Sequence, residues 1–406
     1  MTMDLQQALA LDAADALAHC RERFVLPGGV IYLDGNSLGA LPRVTSAAMS
    51  AVVERQWGSD LIASWNRHDW IGAPQRLGAR IAPLIGAQAG EVLVADSTSV
   101  NLFKLLGAAS KGRPGRSTIL TEAGNFPSDL YVAQGLTALT GTKLRTVNAE
   151  DVEGAIDRDT AVVMLTHVDY RSARRHDMER VTAAAHAAGA LMLWDLSHSA
   201  GAVALDLDGA GVDLAVGCGY KYLNGGPGAP AFLFVARELQ DQLASPLSGW
   251  LGHAEPFAFA PDYRPAPGIA RFQAGTPSII AMAALEAGLA TFDGVAMDAL
   301  EAKSRRLSDL FVTLVAERCP DLALRSPTGA RGSHLVFEHA NAYPLMQALI
   351  ARGVIGDYRE PDLVRFGFAP LYNGFEDVWR AVDTIAAVIE QRSYDEPQYR
   401  ARGLVT

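Results

Sequence analysis

The sequence predicts an α/β fold, with a large domain on a mostly parallel sheet and a smaller α+β domain beside it. Three observations carry this reading. From about residue 90 onward, short continuous apolar runs alternate with helical stretches, the pattern of parallel strands covered on both faces. Two residues able to do chemistry, Asp195 and Lys221, fall at or just after the ends of such runs, where open α/β sheets hold their ligands. Beyond an irregular Gly-, Pro- and aromatic-rich stretch at 239–275, strands and helices mix again in a shorter α+β pattern. The expected division is an N-terminal segment (1–40) packing with the small domain, a large domain (41–275), and a connecting helix with the small C-terminal domain (276–406).

The elements follow in order. Residues 4–24 space Leu and Ala as a helix does, until Tyr32–Gly39 (YLDGNSLG) breaks the pattern with turn residues. The stretch 43–86 reads as mostly helical. Val92–Ala95, Thr118–Leu120, Ala161–Thr166, Leu191–Asp195, Leu214–Cys218 and Gly228–Val235 read as buried strands, with helices at 100–110, 128–139 and 178–189 between them. A long helix is expected from 278 to 292, and helical text continues to about 318. The small domain then takes strands at Leu322–Leu324, His334–Phe337 and Leu363–Phe368, and helices at 341–352 and 375–392.

Composition narrows the function. Hydrophobic residues make up 49% and charged residues 20% of 406 residues, the mixture of a globular protein with a sizeable core. A net charge of −10 argues against nucleic acid and anionic membranes as partners. The densest basic stretch, Arg171–Arg175, reads most simply as a solvated loop. The three cysteines, Cys20, Cys218 and Cys319, are scattered without a CxxC pair, so neither a disulfide framework nor a metal site is expected. The acidic, amphipathic N-terminus lacks the features of a signal peptide, and no apolar run reaches bilayer length. The expectation is a cytoplasmic protein.

Asp195 ends an apolar strand, where a carboxylate needs a cation or a hydrogen-bonding role; the simplest alternative is a cap for the following turn. Lys221 sits in GCGYKYLNGGPG (217–228), between tyrosines and in a glycine-rich turn. A desolvated lysine amine becomes nucleophilic toward a carbonyl carbon; the alternative is a solvated loop lysine. Together they form the arrangement that pyridoxal 5'-phosphate (PLP) chemistry needs: a carboxylate to keep the pyridine nitrogen protonated, and a lysine to hold the aldehyde. His198 is placed to touch either group. Ser97, Thr98 and Ser99 open a helix after a strand, which suits a phosphate dianion as well as a simple N-cap. Phe126, after another strand, can lie on a pyridine ring or be a core residue.

In this order and spacing, the chain resembles the kynureninases, PLP-dependent enzymes of the aspartate-aminotransferase-type fold (fold type I), which implies a PLP-dependent transferase-like large domain with a mostly parallel, seven-stranded type of sheet. The resemblance runs from about 30 to 392. It is carried by YLDGNSLG (32–39), STSVNLF (97–103), NFPSD (125–129), HVDYR (167–171), WDLSHSAG (194–201), GCGYKYLNGGPGAP (217–230), SGWLGH (248–253), FQAGTP (272–277) and RFGFAPLYN (365–373). It implies that Lys221 holds the cofactor and later moves protons, that Asp195 pairs with the pyridinium, and that Phe126 stacks on the ring. Thr98, Ser99 and Tyr220 would hold the phosphate, with Tyr220 also an acid; Asp129, Thr166 and His198 would line the cofactor. Trp250 and Thr276 would reach it from a second subunit, which implies a homodimer. Arg365 would grip the substrate α-carboxylate, with Ser37 and Trp65 near the substrate.

The implied reaction is hydrolytic cleavage of L-kynurenine to anthranilate and L-alanine in tryptophan catabolism. The Gly275-Thr276 pair, where the animal enzymes that prefer 3-hydroxykynurenine carry Asn, leans toward the unhydroxylated substrate. Four other readings are weaker. A cysteine desulfurase-like lyase needs a cysteine on a mobile loop, and Cys319 reads as a helix end. An aminotransferase is disfavoured by the 217–228 and 248–253 segments. A silent binding protein would not need Asp195, Lys221 and Arg365 together. A nicotinamide enzyme needs GxGxxG opening a helix, which is absent.

Overall fold

A computed structural model describes residues 3–403. The large sheet has seven strands: β1 (Val92–Val94), β2 (Thr118–Glu122), β3 (Lys143–Val147), β4 (Thr160–Thr166), β5 (Leu191–Asp195), β6 (Leu214–Gly217) and β7 (Phe232–Val235). Their order across the sheet is β1-β7-β6-β5-β4-β2-β3. All adjacent pairs are parallel except those of β7, which runs antiparallel to both β1 and β6. Almost every residue of the central strands is buried, which is why they read as unbroken apolar runs.

β3 is the exception and was not expected from the sequence. It lies at the sheet edge, where Lys143, Arg145 and Thr146 alternate with apolar residues and are partly solvated. The Gly228–Val235 run contributes only its second half to the sheet, because Gly226 and Gly228 take positive φ in the turn before it.

Helices cover both faces. α1 (Thr98–Lys111) begins where Ser97 Oγ accepts from Val100 N at 3.4 Å, a side-chain cap. α2 (Pro127–Thr140) begins with Pro127 in its first turn and ends at Gly141 in the left-handed region. α3 (Met178–Ala187) is capped by Asp177, which accepts from Arg180 N at 3.0 Å. The expected 278–292 helix appears as α4 (Ile279–Leu289), with a short 3-10 turn to Phe292. Its buried residues join the core of the large domain.

The small domain has its own core, built from α5 (Met297–Arg318), α6 (Ala342–Ile350), α7 (Phe375–Glu390) and a four-stranded sheet. That sheet has strands β8 (Ala323–Leu324), β9 (His334–Glu338), β10 (Asp357–Arg359) and β11 (Leu363–Gly367), in the order β8-β9-β11-β10. β10 was not expected. The N-terminal segment packs here: the Asp12 carboxylate caps α7 by accepting from Phe375 N and Glu376 N, and Ile31–Tyr32 pairs in parallel with Val354–Ile355. Among the described residues, no single helix is long and apolar enough to cross a membrane.

Candidate active site

The carboxyl ends of the central strands meet the N-termini of α1 and α2 around a cavity of about 170 Å³. Thr98, Ser99, Phe126, Asp129, Thr166, Asp195, His198, Tyr220 and Lys221 all line it. The sheet register explains part of this convergence. Thr166 and Asp195 end β4 and β5 as direct partners, so both emerge side by side at one edge. Ser97, read from sequence with Thr98 and Ser99, lines it too; Ser128, Tyr170 and Ser197 also line the cavity and were given no role from sequence. Ser128 and Ser197 adjoin residues that were, Asp129 at a helix start and His198 after a strand; polar residues in those places were the available signal.

Lys221 Nζ lies 3.0 Å from His198 Nε2 and 5.9 Å from the ring centres of both Phe126 and Tyr220. Burial, reinforced by Lys221, holds His198 well below the usual histidine range, so it is neutral. The loop around Lys221 needs its glycines and its neighbours. Asn224 takes positive φ, and a Cβ on Gly39 would come within 2.5 Å of the Lys221 carbonyl oxygen, so the turn of the 32–39 segment can close on the lysine loop only with glycine there.

At the other end stand two buried carboxyl groups. Asp195 receives its hydrogen bonds on one oxygen, Oδ1, from Ser197 N at 2.8 Å and Ser197 Oγ at 2.6 Å. The turn-capping role and a ligand role are thus compatible. Burial raises the Asp195 carboxyl above its ordinary range. Burial, followed by the Asp195 carboxylate, pushes Asp129 well above that range. Two such groups together call for a cation or a shared proton. Burial also raises the Tyr220 hydroxyl, which keeps its proton and remains a donor. Phe126 packs edge-on against Tyr170, with ring centres 5.2 Å apart.

The remaining expected residues lie elsewhere. Trp250 packs against Phe257 and Phe259 on a half-exposed surface, and Thr276 lines a separate hollow beside β1. Trp65 packs edge-on against Trp70 and is not among the residues around the cavity. Arg365 is fully buried on β11, paired with Asp357 on β10. Ser37 donates to Asp357 from the N-terminal segment at 2.8 Å. Asp357 was not foreseen. The signal was the turn residues at 360–362 between two β-like runs, a hairpin that sets Asp357 across from Arg365.

Comparison with known proteins decides the family. The chain is 52% identical to a kynureninase of Burkholderia pseudomallei (strain 1106a) over 412 residues, covering 99% of each chain. It is 51% identical to a kynureninase of Pseudomonas fluorescens, covering 98% of each. The chain belongs to the kynureninase family. The model of the kynureninase C-terminal domain matches residues 300–385, which include β9 to β11 and Arg365.

Among solved structures, a cysteine desulfurase of Thermococcus onnurineus NA1 is 20% identical with a TM-score of 0.78, covering 92% of this chain and 98% of its own. One from Escherichia coli is 19% identical with a TM-score of 0.79 and the same coverage. These likenesses establish the fold, that of PLP-dependent fold type I enzymes. The feature that would suggest a desulfurase is missing from Cys319: it caps the end of α5, is fully buried, and burial pushes its thiol up to about 11.

PLP is the cofactor of the kynureninase family, and the cavity fits it. The helix start at Thr98 and Ser99 offers free backbone N–H groups for a phosphate. An aromatic face, Phe126, flanks the space. The buried Asp195, whose hydrogen bonds fall on a single oxygen, suits a pyridinium N–H, and Lys221 is within reach for the aldehyde.

Proposed function

We propose that this protein cleaves L-kynurenine hydrolytically to anthranilate and L-alanine, with the residue roles that follow. The observation that carries the reading is the convergence of Lys221, Asp195, Phe126 and the α1 N-terminus on one cavity in a chain of this family. Thr98, Ser99 and Tyr220 would hold the phosphate. Asp195 would hold the ring nitrogen, with Phe126, Asp129, Thr166 and His198 lining the rest of the cofactor. When bound, PLP supplies an electrophilic carbon and an electron sink for the charge that develops at the substrate Cα.

The chain supplies the rest. Lys221, which would hold the cofactor in the resting protein, is placed to carry a proton from the substrate Cα. The neutral His198, 3.0 Å from Lys221 Nζ, accepts from that amine and keeps it oriented. Tyr220 keeps its proton and can deliver it to the alanine carbon released when the β–γ bond breaks. Arg365 grips the α-carboxylate, a role that suits a planar guanidinium better than a point charge. Ser37 and Trp65 stand near the substrate. Gly275-Thr276 favours unhydroxylated kynurenine.

We further infer a cytoplasmic homodimer in which Trp250 and Thr276 complete the partner's site. Trp250 and Phe259 are exposed on one chain, which is what an unpaired interface leaves. The large unit, 41–275, carries the cofactor, and the unit from 276 onward brings Arg365. The deciding experiment is an absorption spectrum of the purified protein, followed by anthranilate fluorescence on adding kynurenine. A colourless protein that PLP does not reconstitute, or one that releases no anthranilate, removes the reading. Mixing Lys221→Ala with Trp250→Ala chains tests the shared site, because only a shared site regains activity on mixing.

A further inference from the structure

The donors of Arg365 are partly committed. Asp357 accepts from its Nε at 2.7 Å and also from Nη2, a side-on pair. Its Nη1 donates to the Tyr170 carbonyl. Three of the five guanidinium N–H donors are used in this way. Of the two that remain, the one on Nη2 donates to Ser37 Oγ at a long 3.5 Å, and the one on Nη1 is uncommitted. A carboxylate that displaces the Ser37 hydroxyl would meet both, the end-on pair.

A second carboxyl group belongs to this cluster. Asp34 bridges in parallel to Gly367 on β11, close along the strand from Arg365. It lines the same cleft, about 760 Å³, as Ser37, Asp357 and Arg359. Its Oδ1 is buried without a hydrogen-bond partner. Arg359 Nη2 lies 2.9 Å from Asp357 Oδ2. The charged and titratable groups facing Asp34 are Asp357 and Arg359 from β10, Arg365 from β11, Tyr32 from its own segment, Tyr222 from the lysine loop and Tyr372 from the turn after β11. Burial pushes all three tyrosines up, so they stay neutral. Burial, with the Asp357 carboxylate second, raises Asp34 to about 7.

The charges then decide what the cluster can bind. Two guanidinium groups against Asp357 leave one net positive charge if Asp34 is protonated, and none if it is ionised. An incoming α-carboxylate adds one negative charge in a desolvated place, where an unbalanced charge is costly. We propose that Asp34 is a further substrate-binding determinant: it must carry a proton for a carboxylate to seat on Arg365, so that substrate binding takes up a proton there. This rests on Arg365 being the carboxylate site. Asp357, held by three side chains, is the fixed anion; Asp34, with an unpartnered oxygen, is the one that changes state.

The test uses the PLP-loaded protein and 4-(2-aminophenyl)-4-oxobutanoate, which has kynurenine's carboxylate and aryl ketone but no amine to exchange with Lys221. Titration calorimetry from pH 6 to 9 reads its affinity, and paired buffers of different ionisation heat read proton uptake. For the parent protein, affinity should be full below the Asp34 titration and fall about tenfold per pH unit above it, with uptake approaching one proton. Asp34→Asn, which mimics the protonated form, should hold one affinity across the range and take up no proton. A parent without proton uptake overturns the proposal, as does an Asp34→Asn protein that keeps the parent's slope. If Asp34→Asn does not fold, Asp34→Ser takes its place with the same two outcomes. Arg365→Ala separates the two levels: if it binds the probe as tightly as the parent, the assignment of the carboxylate site fails, whatever Asp34 does.

Discussion

The cavity at the strand ends of the large domain and the charge cluster of the small domain are built on opposite principles. The cavity collects groups left wanting: an amine with a single neutral neighbour, a carboxylate bonded on one oxygen, and a helix start with free N–H groups. The cluster is nearly self-sufficient: the buried pair of Arg365 and Asp357 is completed by the part-exposed Arg359 and Ser37. The first is therefore poised to hold a cofactor permanently. The second, in the role proposed for Arg365, would exchange one set of charge contacts for another as a substrate comes and goes.

Substitutions should expose this difference, most strongly in the cavity. Lys221→Ala should abolish turnover, and borohydride should no longer lock the cofactor to the protein. Trapping at another lysine would move the attachment point and undo the contrast. Asp195→Ala should cost about 3 kcal/mol of transition-state stabilisation, roughly two orders of magnitude in kcat, because the electron sink loses its counter-charge. Ordinary turnover in that variant would reduce Asp195 to a turn cap.

In the cluster the same kinds of change should act on binding. Arg365→Ala should leave the cofactor spectrum intact and weaken kynurenine and alanine binding by about 3 kcal/mol, as when a desolvated charge pair loses one partner. Arg365→Lys should recover only part of this, since a point charge cannot reproduce the fork. Unchanged binding in Arg365→Ala would leave the arginine structural. The smallest effect should come from Ser37→Ala, which removes one donor to Asp357 at 2.8 Å; KM should rise by about 1 kcal/mol in free-energy terms while kcat holds. A fall in kcat alone would place Ser37 with the chemistry instead.

Legibility in the sequence divides along the same line. The large-domain site could be read because its rule is local: strand, end of strand, polar residue. Asp195, Lys221, Thr98, Ser99 and Phe126 each announce themselves within a few residues of an apolar run. Tyr170 escaped notice because it lies a few residues past its strand, in a loop, where only its contact with Phe126 gives it a place. The edge strand β3 escaped because half-solvated strands lose the apolar signature.

The sequence by itself determined the α/β class, the parallel core and the side chains that meet at the strand ends, because hydrophobic periodicity and strand-end position are properties of short stretches of chain. Only the tertiary structure decided how Asp34, Ser37, Asp357 and Arg365 share one set of charges. Those residues come from two distant parts of the chain, and Asp34 reaches β11 only through its bridge to Gly367. The physical reason is that ionisation in a desolvated cluster depends on every charge within a few ångströms, wherever in the chain it originates. A local pattern can name an aspartate, but its proton is set by neighbours that folding alone brings near.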